Sequence, residues 1–153
     1  MNRVDVSIRP ASKADVDRLV EFQIAMAQET EDKGLDVNKL RTGIEYLLEH
    51  PDEGFYLVAE RDGDSAGSLM VTFEWSDWRN GRFWWIQSVY VDAAHRRQGV
   101  YSALHDAIRE KAQADPQGCG IRLYVEVENA GAQATYRQLG MSETHYRLYE
   151  EEF

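Results

Sequence analysis

Cysteine is almost absent from this sequence: Cys119 is the one thiol in 153 residues. A disulfide framework within the chain and a cysteine-rich zinc site are both excluded. The expected setting is reducing and cytoplasmic. Cys119 reads as a small apolar residue at the entrance of a strand rather than as a nucleophile. Proline occurs only three times, at Pro10, Pro51 and Pro116, each between better-patterned segments. Long apolar runs are missing as well. Phe83-Trp84-Trp85-Ile86 falls far short of the roughly 18 residues that a spanning helix needs, so no membrane span is expected. Met1-Asn2-Arg3-Val4-Asp5 has no apolar stretch, so no secretory signal is expected. Positive charge is scarce: 17 basic residues stand against 27 acidic ones, a net charge of −10. Such a chain repels phosphate backbones, and nucleic acid is not an expected partner. An anionic ligand needs a local basic or backbone-amide site, whereas a cationic substrate is attracted.

What is present is the composition of a globular protein, 43% hydrophobic and 29% charged, which excludes global disorder. The length suits a single domain over 1–153 and leaves no room for a second full core. Val4 to Arg9 alternates and predicts a strand. Ser12-Lys13-Ala14-Asp15 has the form of a capping box with Ser12 as N-cap, opening a helix to about Gln28. Its apolar face is Val16, Leu19, Val20, Ile24 and Ala27. Asp36 caps a second helix carrying Leu40, Ile44, Leu47 and Leu48. Strands are predicted over Gly54 to Glu60, Ala66 to Trp75 and Phe83 to Val91, with turns at Asp62-Gly63 and Asn80-Gly81. A helix follows from Tyr101 to about Ala114, then a strand over Ile121 to Val127. Ala130 to Leu139 predicts a short helix closed by Gly140, and Met141 to Tyr149 one or two last strands. The order is that of a mixed α/β sheet with helices on both faces, antiparallel hairpins preceding a strand–helix–strand crossover.

The segment with most chemical content is Val89 to Ser102. A strand runs into a loop with Arg96, Arg97 and Gly99, and a helix opens directly behind it. The first turn of a helix offers unpaired N–H groups and the positive end of the dipole. Gly99 lets backbone approach a ligand closely. Together these residues describe a pyrophosphate site. Neither a P-loop nor a Gly-x-Gly-x-x-Gly fingerprint is present. His95 and His105 straddle the loop and read as surface groups rather than as a metal or base pair.

Arg96-Arg97-Gln98-Gly99-Val100-Tyr101 resembles motif A of the GNAT superfamily of N-acetyltransferases, Gln/Arg-x-x-Gly-x-Gly/Ala, with Tyr101 at the usual Gly/Ala position. Asn129, with Ala134-Thr135-Tyr136-Arg137-Gln138-Leu139-Gly140-Met141, is similar to that superfamily's motif B, with Met141 in place of the usual Phe. The resemblance implies a GNAT-like fold: a central, mixed, mostly antiparallel sheet of 6–7 strands with helices on both faces and a splayed parallel strand pair. It implies acetyl-CoA as cosubstrate and no metal. Arg96, Arg97, Gln98, Gly99, Val100, Tyr101 and Ser102 would then bind the pyrophosphate. Val89 and Val91 would offer main-chain hydrogen bonds to the pantetheine arm. Asn129 would contact the cofactor, and Tyr136 would protonate the departing thiolate. A phenol of pKa about 10 and a thiol of about 8.5 are close enough for that transfer.

An amine acceptor must reach the thioester neutral, so a base or a water chain must take its proton. Glu74, beside Trp75 and Trp78, is the candidate base, because desolvation by indoles raises a carboxylate's affinity for protons. Glu29 and Glu31 at the end of the first helix, with Trp75 and Trp78, are the candidate acceptor-binding residues through ion pairing and cation–π attraction. The Trp-containing turn is similar to that of the diamine acetyltransferase branch. The expected function is acetyl transfer to the primary amine of a small cationic molecule. Alternatives are acetylation of protein N-termini or lysines and a non-catalytic acyl-CoA-binding module. Exposed aromatic strands predict a homodimer.

Overall fold

The computed structural model describes residues 5–153. Two compact units divide the chain, Met1–Leu123 and Tyr124–Phe153. The first holds one sheet with the strands in chain order: β1 (Val6–Pro10), β2 (Gly54–Arg61), β3 (Asp64–Ser76), β4 (Gly81–Val91) and β5 (Gly118–Arg122). Neighbours from β1 to β4 are antiparallel, and β4 pairs with β5 in parallel. Its helices are α1 (Val16–Glu31), α2 (Val37–Glu49) and α3 (Val100–Ala114).

Alternate residues of β2 explain why both faces of the sheet carry helices. Leu57 and Ala59 pack with Leu69, Val71, Trp84 and Ile86 against Val100, Leu104, Ile108 and Ala112 of α3. Tyr56 and Val58 point the other way, onto Val16, Leu19 and Val20 of α1 and Ile44 and Leu47 of α2. Each fully buried aliphatic side chain, such as Leu104, contributes about 1.5–3 kcal/mol. Asp36 caps α2 as expected, its carboxylate accepting from the Lys39 N–H at 3.1 Å. The predicted capping box at Ser12 and Asp15 is present, opening a 3-10 turn that leads into α1. That turn is Lys13–Asp15, and the buried Asp15 carboxylate accepts from the Ser12 N–H at 2.7 Å and from both Arg9 amino groups at 2.8 Å.

The mixed sheet with helices on both faces and a parallel last pair is as predicted, but it has five strands rather than 6–7. Two predicted strands account for the difference. Ile121 to Val127 is a strand only as far as Arg122, because Glu126 captures its neighbours locally: its carboxylate takes the Glu128 N–H and its carbonyl the Asn129 N–H. Met141 to Tyr149 forms no strand among the described residues, and the Tyr146 N–H donates to the Thr144 hydroxyl instead. Alternating side chains make a strand only where a neighbouring backbone takes up the N–H and C=O groups. Ile24 is exposed, and Phe22 and Gln23 are buried in its place on α1. The Asp62-Gly63 turn joins β2 to β3 as a two-residue hairpin, whereas β3 reaches β4 through a 3-10 turn, Asp77–Arg79, and Asn80. Val4, the predicted start of β1, lies outside the described residues.

In the second unit, α4 (Ala130–Gln138) is capped by the Asn129 side chain, which accepts from the Ala132 N–H at 3.1 Å. Gly140 closes it at φ 96°.

Candidate active site

Strand β4 passes beyond its parallel partner. Pairing with β5 runs from Arg82↔Gly118 to Trp85↔Arg122 and ends there, so among the described residues the stretch from Ile86 to Val91 is paired on its β3 side alone. On that side the register skips: Gln87 faces Met70 and Tyr90 faces Ser68, which leaves Ser88 and Val89 together opposite Leu69. This is a β-bulge, with Ser88 at φ 52°. The Ser88 carbonyl is held from α1 by the buried Gln23, whose carboxamide N–H donates to it at 3.1 Å. The open edge contains Val89 and Val91, the predicted main-chain partners of a pantetheine arm.

The turn after β4 is tied down at several residues. Asp92 accepts from the Ala94 N–H at 3.1 Å and from Arg18 of α1 at 2.6 Å, and both hold its carboxyl below the usual range. His95 is buried, and its Nδ1 accepts from Arg61 of β2 at 3.2 Å. Gln98 Oε1 accepts from the same Arg61 at 3.5 Å. The chain then turns through Arg97 at φ 63° and Gly99 at φ 79° into α3. No side chain caps that helix, and its hydrogen-bond ladder begins where the Ala103 N–H donates to the Gly99 carbonyl at 3.0 Å. The N–H groups of Val100, Tyr101 and Ser102 therefore precede the ladder at the positive end of the dipole. A Cβ built on Gly99 meets nothing within 4 Å. The geometry suits a bound phosphate.

The two arginines of the loop differ. Arg96 donates to the Val91 carbonyl at 3.0 Å, grips the Glu29 carboxylate at 2.9 and 3.1 Å, and lies over the Tyr90 ring at 5.5 Å. Burial and a hydrogen bond to Glu29 push the Tyr90 hydroxyl up from its ordinary pKa. Arg97 is exposed and shares none of these contacts. Among the described residues six non-glycines have positive φ, and four are Asp or Asn, which tolerate that region. The other two are Ser88 and Arg97, both in this strand and loop. Such backbone strain collects at functional sites.

The acceptor candidates do not gather at one point. Glu29 is at the loop, while Glu31 is exposed at the last residue of α1. Glu74 is opposite Phe83, and Ser68 is opposite Tyr90. The six residue steps along β3 from Ser68 to Glu74 put the two ends about 20 Å apart. Glu74 accepts from Arg122 at 2.5 Å, and that guanidinium stacks on Phe83 at 3.7 Å. Trp75 is 54% and Trp78 88% exposed. Asn129 and Tyr136 belong to the second unit, where Asn129 caps α4 and Tyr136 is half-buried on it.

The histidines correct the sequence reading. His95 and His105 are buried rather than surface groups. His105 shares the inward side of α3 with Leu104 and Ile108; its Nε2 accepts from Arg109 at 3.2 Å, and its Nδ1 is 3.1 Å from the Tyr101 hydroxyl. Burial lowers its pKa, and the Arg109 charge adds to the effect. Sequence reasoning missed Gln23 and Arg18. The one available signal was a glutamine on the inward side of an apolar helix.

The chain resembles known proteins over most of its length. The profile of the family described as Acetyltransferase (GNAT) family matches residues 18–141. A possible acetyltransferase from Clostridium difficile 630 is 43% identical, with a TM-score of 0.90 over 97% of this chain and 98% of that one. A predicted acetyltransferase from Clostridium acetobutylicum, solved with acetyl-CoA, is 18% identical at a TM-score of 0.78, covering 95% and 96% of the two chains. The glucosamine-6-phosphate N-acetyltransferase of Arabidopsis thaliana is 22% identical at 0.72, covering 95% and 97%. These last two share the fold. No curated protein sequence matches the chain. No helix among the described residues is long and apolar enough to cross a membrane. A family match over residues 18–141, with a 43% identical structure aligned along nearly the whole chain, has one meaning: the protein belongs to the GNAT family and is an acyltransferase that transfers acetyl groups.

Proposed function

We propose that the protein transfers the acetyl group of acetyl-CoA to the primary amine of a small cationic molecule, by direct attack in a ternary complex. The observation that carries this reading is the open edge of β4 running into the uncapped N-terminus of α3. An edge with unpaired main-chain groups suits the amides of a pantetheine arm, and the helix start suits the pyrophosphate behind it. In this reading Val89 and Val91 bind the arm, and the Arg96 to Ser102 loop binds the pyrophosphate, with Asn129 as a further cofactor contact. The acceptor's nitrogen attacks the thioester carbon, the C–S bond breaks, and Tyr136 gives its proton to the departing thiolate. The proton that the amine must lose reaches Glu74, about 20 Å along β3 from the residue opposite Tyr90, through a chain of waters. Glu29, Glu31, Trp75 and Trp78 are the acceptor groups of this reading, spread over separate parts of the surface rather than one pocket, and the effect they share is to draw a cation toward the protein, in keeping with a net charge of −10. The whole chain, 1–153, acts as one transferase domain in the cytoplasm, as a homodimer.

The test is thiol release from acetyl-CoA with polyamines, amino sugars, amino acids and short peptides as acceptors. Turnover confined to one cationic small-molecule class supports the proposal, and Tyr136→Phe should then slow turnover while leaving acetyl-CoA affinity unchanged. Turnover with peptides alone refutes the small-molecule acceptor. Saturable acetyl-CoA binding without turnover for any acceptor assigns the chain to binding rather than catalysis.

A further inference from the structure

We infer that Gln23 is a positioning residue for acetyl transfer, a latch on α1 that holds the β4 bulge in the shape the cosubstrate needs. This rests on the proposed binding of acetyl-CoA along β4. Gln23 is 5% exposed on a helix face whose other buried members are Val16, Leu19, Val20, Phe22 and Ala27. A buried carboxamide is costly unless it is bonded, and an apolar side chain of the same length would pack there at least as well. Its bond goes to one place, the Ser88 carbonyl, 65 residues along the chain.

That carbonyl belongs to a residue in an unfavourable conformation. Ser88 has φ 52° and none of the local side-chain advantages that let Asn or Asp occupy the left-handed region. Left alone, the strand would relax toward extended geometry. In a planar trans peptide the C=O of Ser88 and the N–H of Val89 point in opposite directions. By drawing the carbonyl toward α1, Gln23 turns the Val89 N–H the other way. Val89 lies on the part of β4 that has no β5 partner. The latch therefore decides where one main-chain donor of the proposed arm site points, without Gln23 touching the cosubstrate.

The experiment compares wild type, Gln23→Met and the double variant Gln23→Met/Ser88→Gly. Methionine keeps the length and removes the donor, and glycine at 88 reaches positive φ without help. Three quantities are read: the melting temperature, the Ser88 backbone carbon shifts by NMR, which distinguish left-handed from extended residues, and the acetyl-CoA dissociation constant by calorimetry. Gln23→Met should stay folded, lose the left-handed signature at Ser88 and bind acetyl-CoA about tenfold more weakly, the weight of one hydrogen bond. The double variant should recover most of that affinity. A folded Gln23→Met that keeps both the Ser88 signature and acetyl-CoA affinity within twofold of wild type overturns the inference. A wild type that does not bind acetyl-CoA overturns the cosubstrate reading instead, and the Ser88 shifts then decide the latch alone.

Discussion

Gly99 and Gly63 form a matched pair that separates backbone strain from ligand contact. Both have positive φ, 79° and 81°, and a Cβ at either meets nothing within 4 Å. Alanine at either position should therefore cost strain and no steric clash. Holding a residue with a Cβ in the left-handed region costs about 1–2 kcal/mol, and the stiffer unfolded chain returns about 0.4–1 kcal/mol. The net is about 1 kcal/mol, a fall of about 2–4 °C in Tm for a chain of this size. The open space means different things at the two sites. At Gly63 it is solvent beside a hairpin turn. At Gly99 it adjoins the first turn of α3, where in the proposed function a phosphate oxygen comes within about 2.9 Å of a backbone nitrogen. A methyl group there should weaken acetyl-CoA binding at least tenfold, while Gly63→Ala should leave it within twofold. Arg61, beside the Gly63 turn, reaches Gln98, so the control also reports any distortion passed along the hairpin. Thermal melts and calorimetric titration of acetyl-CoA measure the two effects. If the two variants lose equal stability and equal affinity, the open face of Gly99 is not a phosphate site.

The loop arginines should separate in the same titration. Arg97→Ala is expected to weaken acetyl-CoA binding and flatten its salt dependence, whereas Arg96→Ala is expected to loosen the Glu29 contact and lower Tm; equal effects would refute the division of roles. Glu74→Gln should lower kcat about tenfold or more with unchanged acetyl-CoA affinity, and full turnover would confine Glu74 to its ion pair with Arg122. Asp15→Asn should destabilise by about 1–3 kcal/mol in urea unfolding at pH 7. The Arg9 guanidinium holds the Asp15 carboxyl low, so its contribution is present above the unfolded value of about 3.9 and is lost as pH falls through the lower folded value. Asp15→Asn should remove that acid slope, and an unchanged slope would sink the assignment. Burial lowers the pKa of His105, so between its folded value and about 6.5 only the unfolded chain takes up the proton. Stability should fall as pH drops below about 6.5, and His105→Gln should flatten the difference in urea midpoint between pH 8 and pH 5.5.

Local chemistry was legible in the sequence where one residue type decides the outcome. Asp62-Gly63 is a turn because both residues tolerate positive φ, and both have it. Gly99 could be placed at the opening of a helix for the same reason. Leu104, Ile108 and Ala112 follow from helical spacing and lie in the core. What depends on a partner far along the chain was not legible. Nothing in Gln87-Ser88-Val89 announces a bulge, because the register is set by β3 and the carbonyl is held by α1. His105 has the look of a surface histidine until Arg109 and Tyr101 are seen to bracket its ring. The pattern of Tyr124 to Val127 suits a strand, yet Glu126 draws the following N–H groups into a turn. The acceptor candidates failed to converge for a related reason: adjacency in sequence joins Glu74 to Trp75, but antiparallel pairing carries both toward the far end of β4.

The net charge of −10 sharpens the question of how an anion is held, and α1 supplies part of the answer. Three of its side chains reach the strand and loop in succession: Arg18 to Asp92, Gln23 to the Ser88 carbonyl, and Glu29 to Arg96. Two of these contacts are ion pairs, and each neutralises a charge that would otherwise act at the loop. The Glu29 carboxylate cancels most of the field of Arg96 at a distance, leaving Arg97 as the cation with no such offset. An anion arriving at this corner therefore meets backbone amides and one arginine, set in a loop that α1 and the β2–β3 hairpin hold in place. The attraction is short-ranged by construction. That fits a protein whose overall field repels anions and draws in cations, because in the proposed reaction the two substrates, acetyl-CoA and a cationic amine, carry opposite charge. A basic surface broad enough to steer the anion would also drive off the proposed amine.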